Sequence, residues 1–345
     1  MTRRFLFSLI LVVLLAGALS GKQAVPILCY HYFVGDSAAA KSRLTETFSR
    51  FEQMLKFLLA NGYQTCFPED VESERTAIRR PVIITFDDGK KELLRAAQLM
   101  SRFGFKGIFF VIPSRIADQS SEYLTIQELK GLAATGHRIA VHGYNHESMA
   151  SSQQEAAASQ VQSLKVLKRA MGPDYPSDDF AFPMGHYTPS IVESLATIYR
   201  FLHTVNPGYW DGKSILLPRM LITNDNSLEF YQSFVLGSMR FNPQFRLITE
   251  EGSTSNTVEF ERDDTTEVEG IELLAVSPDQ DGKLYASYPL GPNLTIRGKM
   301  VVIDLKKHVE RYYSSSRVVL SYALVQRRNK EVTYMSAGHQ HWIAR

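Results

Sequence analysis

Pro81 to Lys90 reads Pro-Val-Ile-Ile-Thr-Phe-Asp-Asp-Gly-Lys, and the reading of this stretch decides the fold. Val82, Ile83 and Ile84 form an unbroken apolar run, the pattern of a strand covered on both faces. The run stops at Asp87, Asp88 and Gly89. Two carboxylates therefore stand at the carboxyl end of a buried strand, the edge of a parallel α/β architecture at which ligands bind. Capping of the helix that begins near Lys90 is the plain alternative for Asp88, and the rest of the chain has to choose.

Outward from this stretch, strand, turn and helix alternate from Ala24 onward. Val25 to Tyr30 is a strand that ends at His31. Thr47 to Asn61 is an amphipathic helix, with Ser49 and Glu52 at capping-box spacing and Asn61-Gly62 as its stop. Further strands are predicted at Gln64 to Phe67, Gly107 to Ile112, Arg138 to Val141, Asp179 to Phe182, Phe201 to Val205 and Ile215 to Ile222. Helices are predicted between them, one opened by a second box, Thr125 with Glu128. About seven such units predict an α/β parallel barrel over residues 21–238. His31, Asp87, Asp88, His142 and Pro183 fall at the carboxyl ends of four different predicted strands, hence at one rim. After Met239 short alternating segments such as Thr257 to Glu261 and Met300 to Leu305 predict a smaller all-β, sandwich-like domain over residues 239–345.

The length of 345 residues suits one barrel and one smaller domain. The 38 Lys and Arg nearly balance the 36 Asp and Glu and are interspersed with them. No basic face results, which argues against nucleic acid as a partner. Arg3 and Arg4 precede an apolar run from Phe5 to Leu15, and Ala18-Leu19-Ser20 follows. Residues 1–20 therefore read as a secretory signal peptide cleaved near Gly21, and the protein as exported to the periplasm, cell surface or medium. Membrane attachment would require that segment to stay uncleaved. Cys29 and Cys66, the only cysteines, lie in predicted strands and read as small buried thiols, which an oxidising compartment would let pair if adjacent.

His142-Gly-Tyr-Asn-His146 places two imidazoles four residues apart. Two histidines and one carboxylate from separate segments make a three-ligand site with coordination positions left open, the layout of a catalytic metal. Zinc is the default ion. Such a metal polarises an amide or ester carbonyl and activates water. Hydrolysis then needs a base, a stabilised oxyanion and an acid for the leaving group. Adjacent carboxylates can divide the work, one on the metal and one free.

Thr85-Phe86-Asp87-Asp88-Gly89, His142-x-x-x-His146 and Phe182-Pro183-Met184-Gly185 together resemble the motifs of the polysaccharide deacetylase family, the NodB-homology carbohydrate esterases. The resemblance implies a distorted barrel of about seven strand-helix units that removes acetyl groups from N-acetylglucosamine units of a polysaccharide. It implies Asp87 as general base, Asp88, His142 and His146 as ligands of Zn2+, Co2+ or Ni2+, and backbone groups from Pro183 through Met184 to Gly185 at the oxyanion. Two departures stand out. Ala181 occupies the place of a family arginine that orients the base, and the usual late Leu-x-His acid is missing. Ile27 to Tyr32 is similar to the opening of the branch that deacetylates poly-β-1,6-N-acetylglucosamine, in which the acid histidine comes first, and that branch shares the arginine-free Phe180 to Gly185 pattern. His31 becomes the candidate acid. Tyr144, Tyr187 and Trp210 are candidate stacking walls for sugar rings. His203 reads as a core group, and His339 and His341 as exposed residues of an edge strand. The competing function is a glycan-binding adaptor that has lost turnover, supported by the missing arginine alone. A glycosidase pair is disfavoured, because its carboxyls need roughly 5 Å or more between them, across the scissile bond. The β domain carries no readable chemistry: binding glycan, packing against the barrel and docking a secretion or synthesis partner are equally open to it, and the sequence names no protein partner.

Overall fold

Buried apolar strands that each run into a helix can hide both faces only by curling around one another, and the computed structural model of the chain takes this form. The structure describes residues 24–73, 78–118, 120–149, 153–176, 178–262, 266, 268–276, 285–312, 317–328 and 331–344. The predicted signal segment, residues 1–20, lies outside them. No helix among the described residues is long and apolar enough to cross a membrane.

The barrel strands are β1 (Ile27–Tyr30), β2 (Pro81–Phe86), β3 (Ile108–Val111), β4 (Arg138–Val141), β5 (Asp179–Ala181), β6 (Phe201–His203), β7 (Leu216–Leu217) and β8 (Met220–Leu221). All neighbours pair in parallel, in the order β7-β6-β5-β4-β3-β2-β1-β8. β7 and β8 are the two halves of the single strand expected from Ile215 to Ile222. Pro218 and Arg219 interrupt it: the first half pairs with β6 and the second with β1. Counting that broken strand once, the described residues hold seven strand positions, and the two sheet edges are bridged by one bent segment. Gln64–Thr65 adds a short pairing to β2.

Helices cover the outside, among them α1 (Phe48–Ala60), α2 (Leu93–Arg102), α3 (Ile126–Ala134), α4 (Gln153–Met171), α5 (Pro189–Ala196) and α6 (Leu228–Gly237). Thr125 and Glu128 form the expected capping box on α3. On α1 the cap lies two positions before the expected one: Thr47, not Ser49, accepts from the Arg50 N–H at 3.3 Å. The helix begins at Phe48 because Phe48 and Phe51 are both needed in the core.

Strand side chains alternate, so every second residue points into the barrel. Val25, Ile27, Ile83, Ile108, Phe110, Ala140, Phe201 and Leu217 form a cluster of their own, separate from the larger one built by helices and outward strand faces. Continuing the alternation upward, His31 follows Ile27 and Cys29, Asp87 follows Ile83 and Thr85, His142 follows Ala140, and Arg219 follows Leu217. The parity of the core thus carries these four polar side chains onto one level at the carboxyl rim. Trp210 belongs to the opposite end. It is fully buried, bridges Val25 ahead of β1 and donates to the Ser214 carbonyl, so it plugs the floor of the barrel and is no wall for a sugar.

The C-terminal region is all-β apart from α7 (Leu305–Tyr312). Strands β9 (Phe245–Leu247), β10 (Thr257–Arg262), β13 (Leu294–Arg297) and β14 (Met300–Asp304) form one antiparallel sheet, ordered β9-β10-β14-β13. Strands β11 (Ile271–Val276), β12 (Tyr285–Pro289), β15 (Arg317–Arg328), β16 (Glu331–Tyr334) and β17 (His339–Ala344) form the other, with β15 central. Val258, Phe260, Val301 and Ile303 face Leu273, Ala275, Leu320 and Leu324 in one core. The alternate residues Leu274, Val276, Ala323 and Val325 pack into the barrel's cluster instead. The second sheet is therefore covered on both faces, which explains its continuous apolar runs.

The two domains meet where Gly208 crosses Gly338. A Cβ at Gly208 would lie 2.6 Å from the Gly338 nitrogen, a distance only backbone movement could relieve. Gly208→Ala is expected to destabilise the protein by about 1–3 kcal/mol, as overpacking does. Urea denaturation reads this directly, and an unchanged midpoint would mean that the two backbones are free to separate.

Candidate active site

Each rim residue is delivered by the last hydrogen bond of a parallel ladder. The Asp87 N–H donates to the Tyr30 carbonyl at 2.9 Å, the His142 N–H to Val111 at 2.9 Å, and the Phe182 N–H to His203 at 3.1 Å. Asp87 is buried, and Arg219 meets it with both arms of its guanidinium, at 2.7 Å to Oδ1 and 2.8 Å to Oδ2. Arg219 is itself fully buried and also donates to the Thr204 carbonyl and to Thr85 Oγ1. Burial alone would raise the Asp87 pKa. The Arg219 charge, helped by His142 and His31, outweighs it and holds the carboxyl well below the usual carboxylate range. The arginine expected at Ala181 is thus supplied from β7 and β8, 132 residues from its carboxylate in sequence. Sequence reasoning missed it, although an arginine between Leu217 and Met220 in an apolar strand was the available signal.

The Cys29 thiol donates to Asp87 Oδ2 at 3.4 Å. Burial, opposed by Arg219 and reinforced by Asp87, pushes the thiol pKa up, so it remains a donor. Both cysteines are free and buried. His31 Nε2 lies 3.8 Å from Asp87 Oδ2 and its Nδ1 4.0 Å from the thiol sulfur.

Asp88 would point out of the barrel by strand parity. It points in because its backbone is left-handed, with φ 71°. Among the described residues, the non-glycine positions with positive φ are Asp88, His146 at 60° and Met184 at 57°. All three belong to the predicted site. Such conformations cost about 1–3 kcal/mol each and persist where the surroundings enforce them.

Asp88, His142 and His146 offer ligand atoms that lie within 4.8 Å of one another. His142 Nε2 is 3.7 Å and His146 Nε2 3.5 Å from Asp88 Oδ1. His142 Nδ1 donates to the Ala181 carbonyl at 3.0 Å, which leaves the Nε2 lone pair facing Asp88. Burial, opposed by Asp87 and Asp88, lowers the His142 pKa and favours the neutral ring that can ligate. Asp88 Oδ1 is buried without any hydrogen-bond partner, an arrangement that a cation would satisfy. The three residues therefore fit a divalent metal. Cys29, His31 and Asp87 also lie within ligand range of one another, but Arg219 already places a positive charge on Asp87, so that group is poorly suited to a cation. Tyr32, half-buried and unforeseen, lies beside Asp88, and burial together with the Asp88 charge raises its hydroxyl pKa.

The turn Pro183–Gly185 stands against this group. Gly143 lies beneath it with φ +67°, and a Cβ there would come 2.8 Å from Pro183 Cγ, so only glycine lets the two loops close. The Met184 side chain is exposed. Tyr144 stays half-buried at the rim, where its carbonyl accepts from Ser114. Tyr187 is fully buried, its hydroxyl donating to Glu251 and accepting from Asn206; like Trp210 it is a packing residue, not a sugar wall. His203 is buried against Asp179. His339 and His341 are also buried, on Glu251 and Tyr322, because their strand lies against the barrel and presents no open edge.

A carboxylate pair and two histidines thus meet at the carboxyl rim of a curled parallel sheet. Residues 74–198 match the model of the polysaccharide deacetylase family. The Bacillus subtilis protein YxkH, named for the same family, is 27% identical over 190 residues, which are 53% of this chain and 65% of YxkH. The deacetylase PplD of Streptococcus pyogenes superposes with a TM-score of 0.56 at 22% identity, covering 61% of this chain and 98% of that one. IcaB of Ammonifex degensii gives 0.53 at 22%, covering 62% and 97%. The match to the polysaccharide deacetylase family thus lies within the barrel, and the match to YxkH spans just under two thirds of that relative's length.

A carboxyl depressed on folding contributes stability that is complete above its unfolded value near 4 and is lost only as pH falls through the much lower folded value. Arg219→Leu strands that carboxylate and is expected to cost about 3–5 kcal/mol at neutral pH. Asp87→Asn in the same background should return part of the loss. Chemical denaturation of the four metal-free proteins closes the cycle; strictly additive effects would show that the pair is not the cause.

Proposed function

We propose that the protein is an exported, metal-dependent N-deacetylase that hydrolyses acetamido groups of N-acetylglucosamine units in a polysaccharide to free amine and acetate. The observation that carries this reading is the meeting of Asp87, clamped by Arg219, with the Asp88, His142 and His146 group on one rim, His31 beside them. Asp88, His142 and His146 would hold the divalent ion, Zn2+ by default, with Co2+ or Ni2+ as substitutes. When bound, that ion supplies Lewis acidity at the acetyl carbonyl and lowers the pKa of water.

The chain's own residues do the rest. Arg219 keeps Asp87 ionised and fixes both its oxygens, so that the carboxylate can take the proton of the attacking water. The cost is basicity: a carboxylate held so low keeps a proton only briefly. His31, 3.8 Å away, protonates the departing amine and is recharged from Asp87. The Met184 backbone N–H donates to the oxyanion, since Pro183 has none and the N–H groups of Gly185 and His186 are spent on the Phe182 and Pro183 carbonyls. The β-1,6-linked glycan is the favoured substrate, on the strength of Ile27 to Tyr32 and Phe180 to Gly185. The adaptor reading rested on the arginine missing at Ala181, and Arg219 in that role takes away its support.

Acetate release from β-1,6- and β-1,4-linked N-acetylglucosamine oligomers, with chelator and with zinc restored, tests the proposal. Release is expected to need metal and to favour the β-1,6 linkage. Asp87→Asn and His31→Ala should each lower kcat by about 10²- to 10⁴-fold while zinc still binds. Zinc binding with no release from any glycan would return the adaptor.

A further inference from the structure

The β domain reaches the rim through one strand. Gln340, on β17, is fully buried. Its side-chain amide donates to the Gly185 carbonyl at 2.6 Å and to Ser321 Oγ at 3.1 Å, while its Oε1 accepts from the Tyr187 N–H at 3.4 Å. Two residues on, Trp342 Nε1 donates to the Tyr187 carbonyl at 2.8 Å, and the Trp342 ring lies 5.5 Å from that of His186. His186 in turn meets Ser148, in the loop that carries His146, at 3.2 Å. Gln340 is held in place as well: its N–H donates to Glu251, and its carbonyl accepts from the Gly252 N–H at 2.8 Å. Glu251 also takes the Tyr187 hydroxyl.

Both ends of the segment from Gly185 to Tyr187 are therefore bonded to β17. Met184, with its left-handed backbone, is the residue immediately before it. A turn of three residues with a strained centre has few conformations in which Gly185 O and Tyr187 N are both satisfied by one amide. We infer that Gln340, assisted by Trp342, is a positioning residue for the reaction, and that the β domain is part of the catalytic apparatus through it: β17 holds the Pro183–Tyr187 loop so that the Met184 backbone N–H faces the oxyanion. This rests on the deacetylase reading for the role of that loop, not for the clamp itself. An interaction that fixes a transition-state donor alters kcat more than KM.

Three variants test it. Gln340→Leu removes all three side-chain amide bonds at similar size; Gln340→Glu keeps the acceptor for the Tyr187 N–H and loses the donor. Val276→Ala weakens the packing of the same domain on the barrel, away from the loop, and serves as the stability control. Gln340→Leu should lower kcat by about 10- to 100-fold with KM and zinc affinity within about twofold, and Gln340→Glu should fall between. Val276→Ala should lower Tm and leave kcat. Hydrogen exchange read on residues 183–187 should rise in Gln340→Leu above the rest of the barrel. Unchanged exchange there, or a kcat that tracks Tm alike in Gln340→Leu and Val276→Ala, would overturn the inference. If the wild type releases no acetate with metal bound, the deacetylase reading fails by itself, and hydrogen exchange still decides the clamp.

Discussion

The buried ion pair between Asp87 and Arg219 constrains everything around it. Each ion loses several kcal/mol of hydration on burial, and attraction repays this only if the geometry is close to ideal and the remaining donors are satisfied. Here the contact is bidentate, and the other guanidinium donors go to the Thr204 carbonyl and Thr85 Oγ1. Those acceptors lie at the ends of β6 and β2. Arg219 can reach them only from the gap between the two sheet edges, where the last strand leaves β6 and joins β1. Pro218 suits the break because it has no N–H to waste on a ladder. One side chain thus ties the closure of the sheet to the orientation of its central carboxylate.

The rest of the rim follows from parity and its exceptions. Alternation along β1, β2, β4 and the broken strand turns His31, Asp87, His142 and Arg219 inward without strain. Asp88 sits next to Asp87 and so has the wrong parity, and its left-handed backbone corrects this. Adjacent carboxylates can face one site only if one residue is strained in this way. The same conformation recurs at His146 and Met184, where chain leaving a strand must turn back over the rim.

Much of this was legible in the sequence. Strand ends were readable because apolar runs stop at polar residues, and the rim was readable because several runs stop at residues with chemistry. Arg219 was readable as a charge set in an apolar strand and so in need of a partner, but nothing local points to a carboxylate 132 positions away. His339-Gln-His-Trp342 looked like an exposed edge for a related reason. Its polar groups are matched by Glu251, Tyr322 and the Gly185–Tyr187 backbone, all of them distant in sequence. Tyr187 and Trp210 were misjudged because an aromatic that stacks on sugar and one that fills a floor are the same in one dimension.

The clamp also has a temporal side. Gln340 and Gly185 are separated by 155 positions, and a chain made from its amino end has every barrel strand before β17 exists. The metal-type ligands, the carboxylate and its arginine can all assemble in that interval, while the loop above them still lacks its partner. Contacts of such long range form late. A nascent chain would thus hold a nearly complete site before it could use it, and hydrolytic competence would arrive only once the second domain has docked.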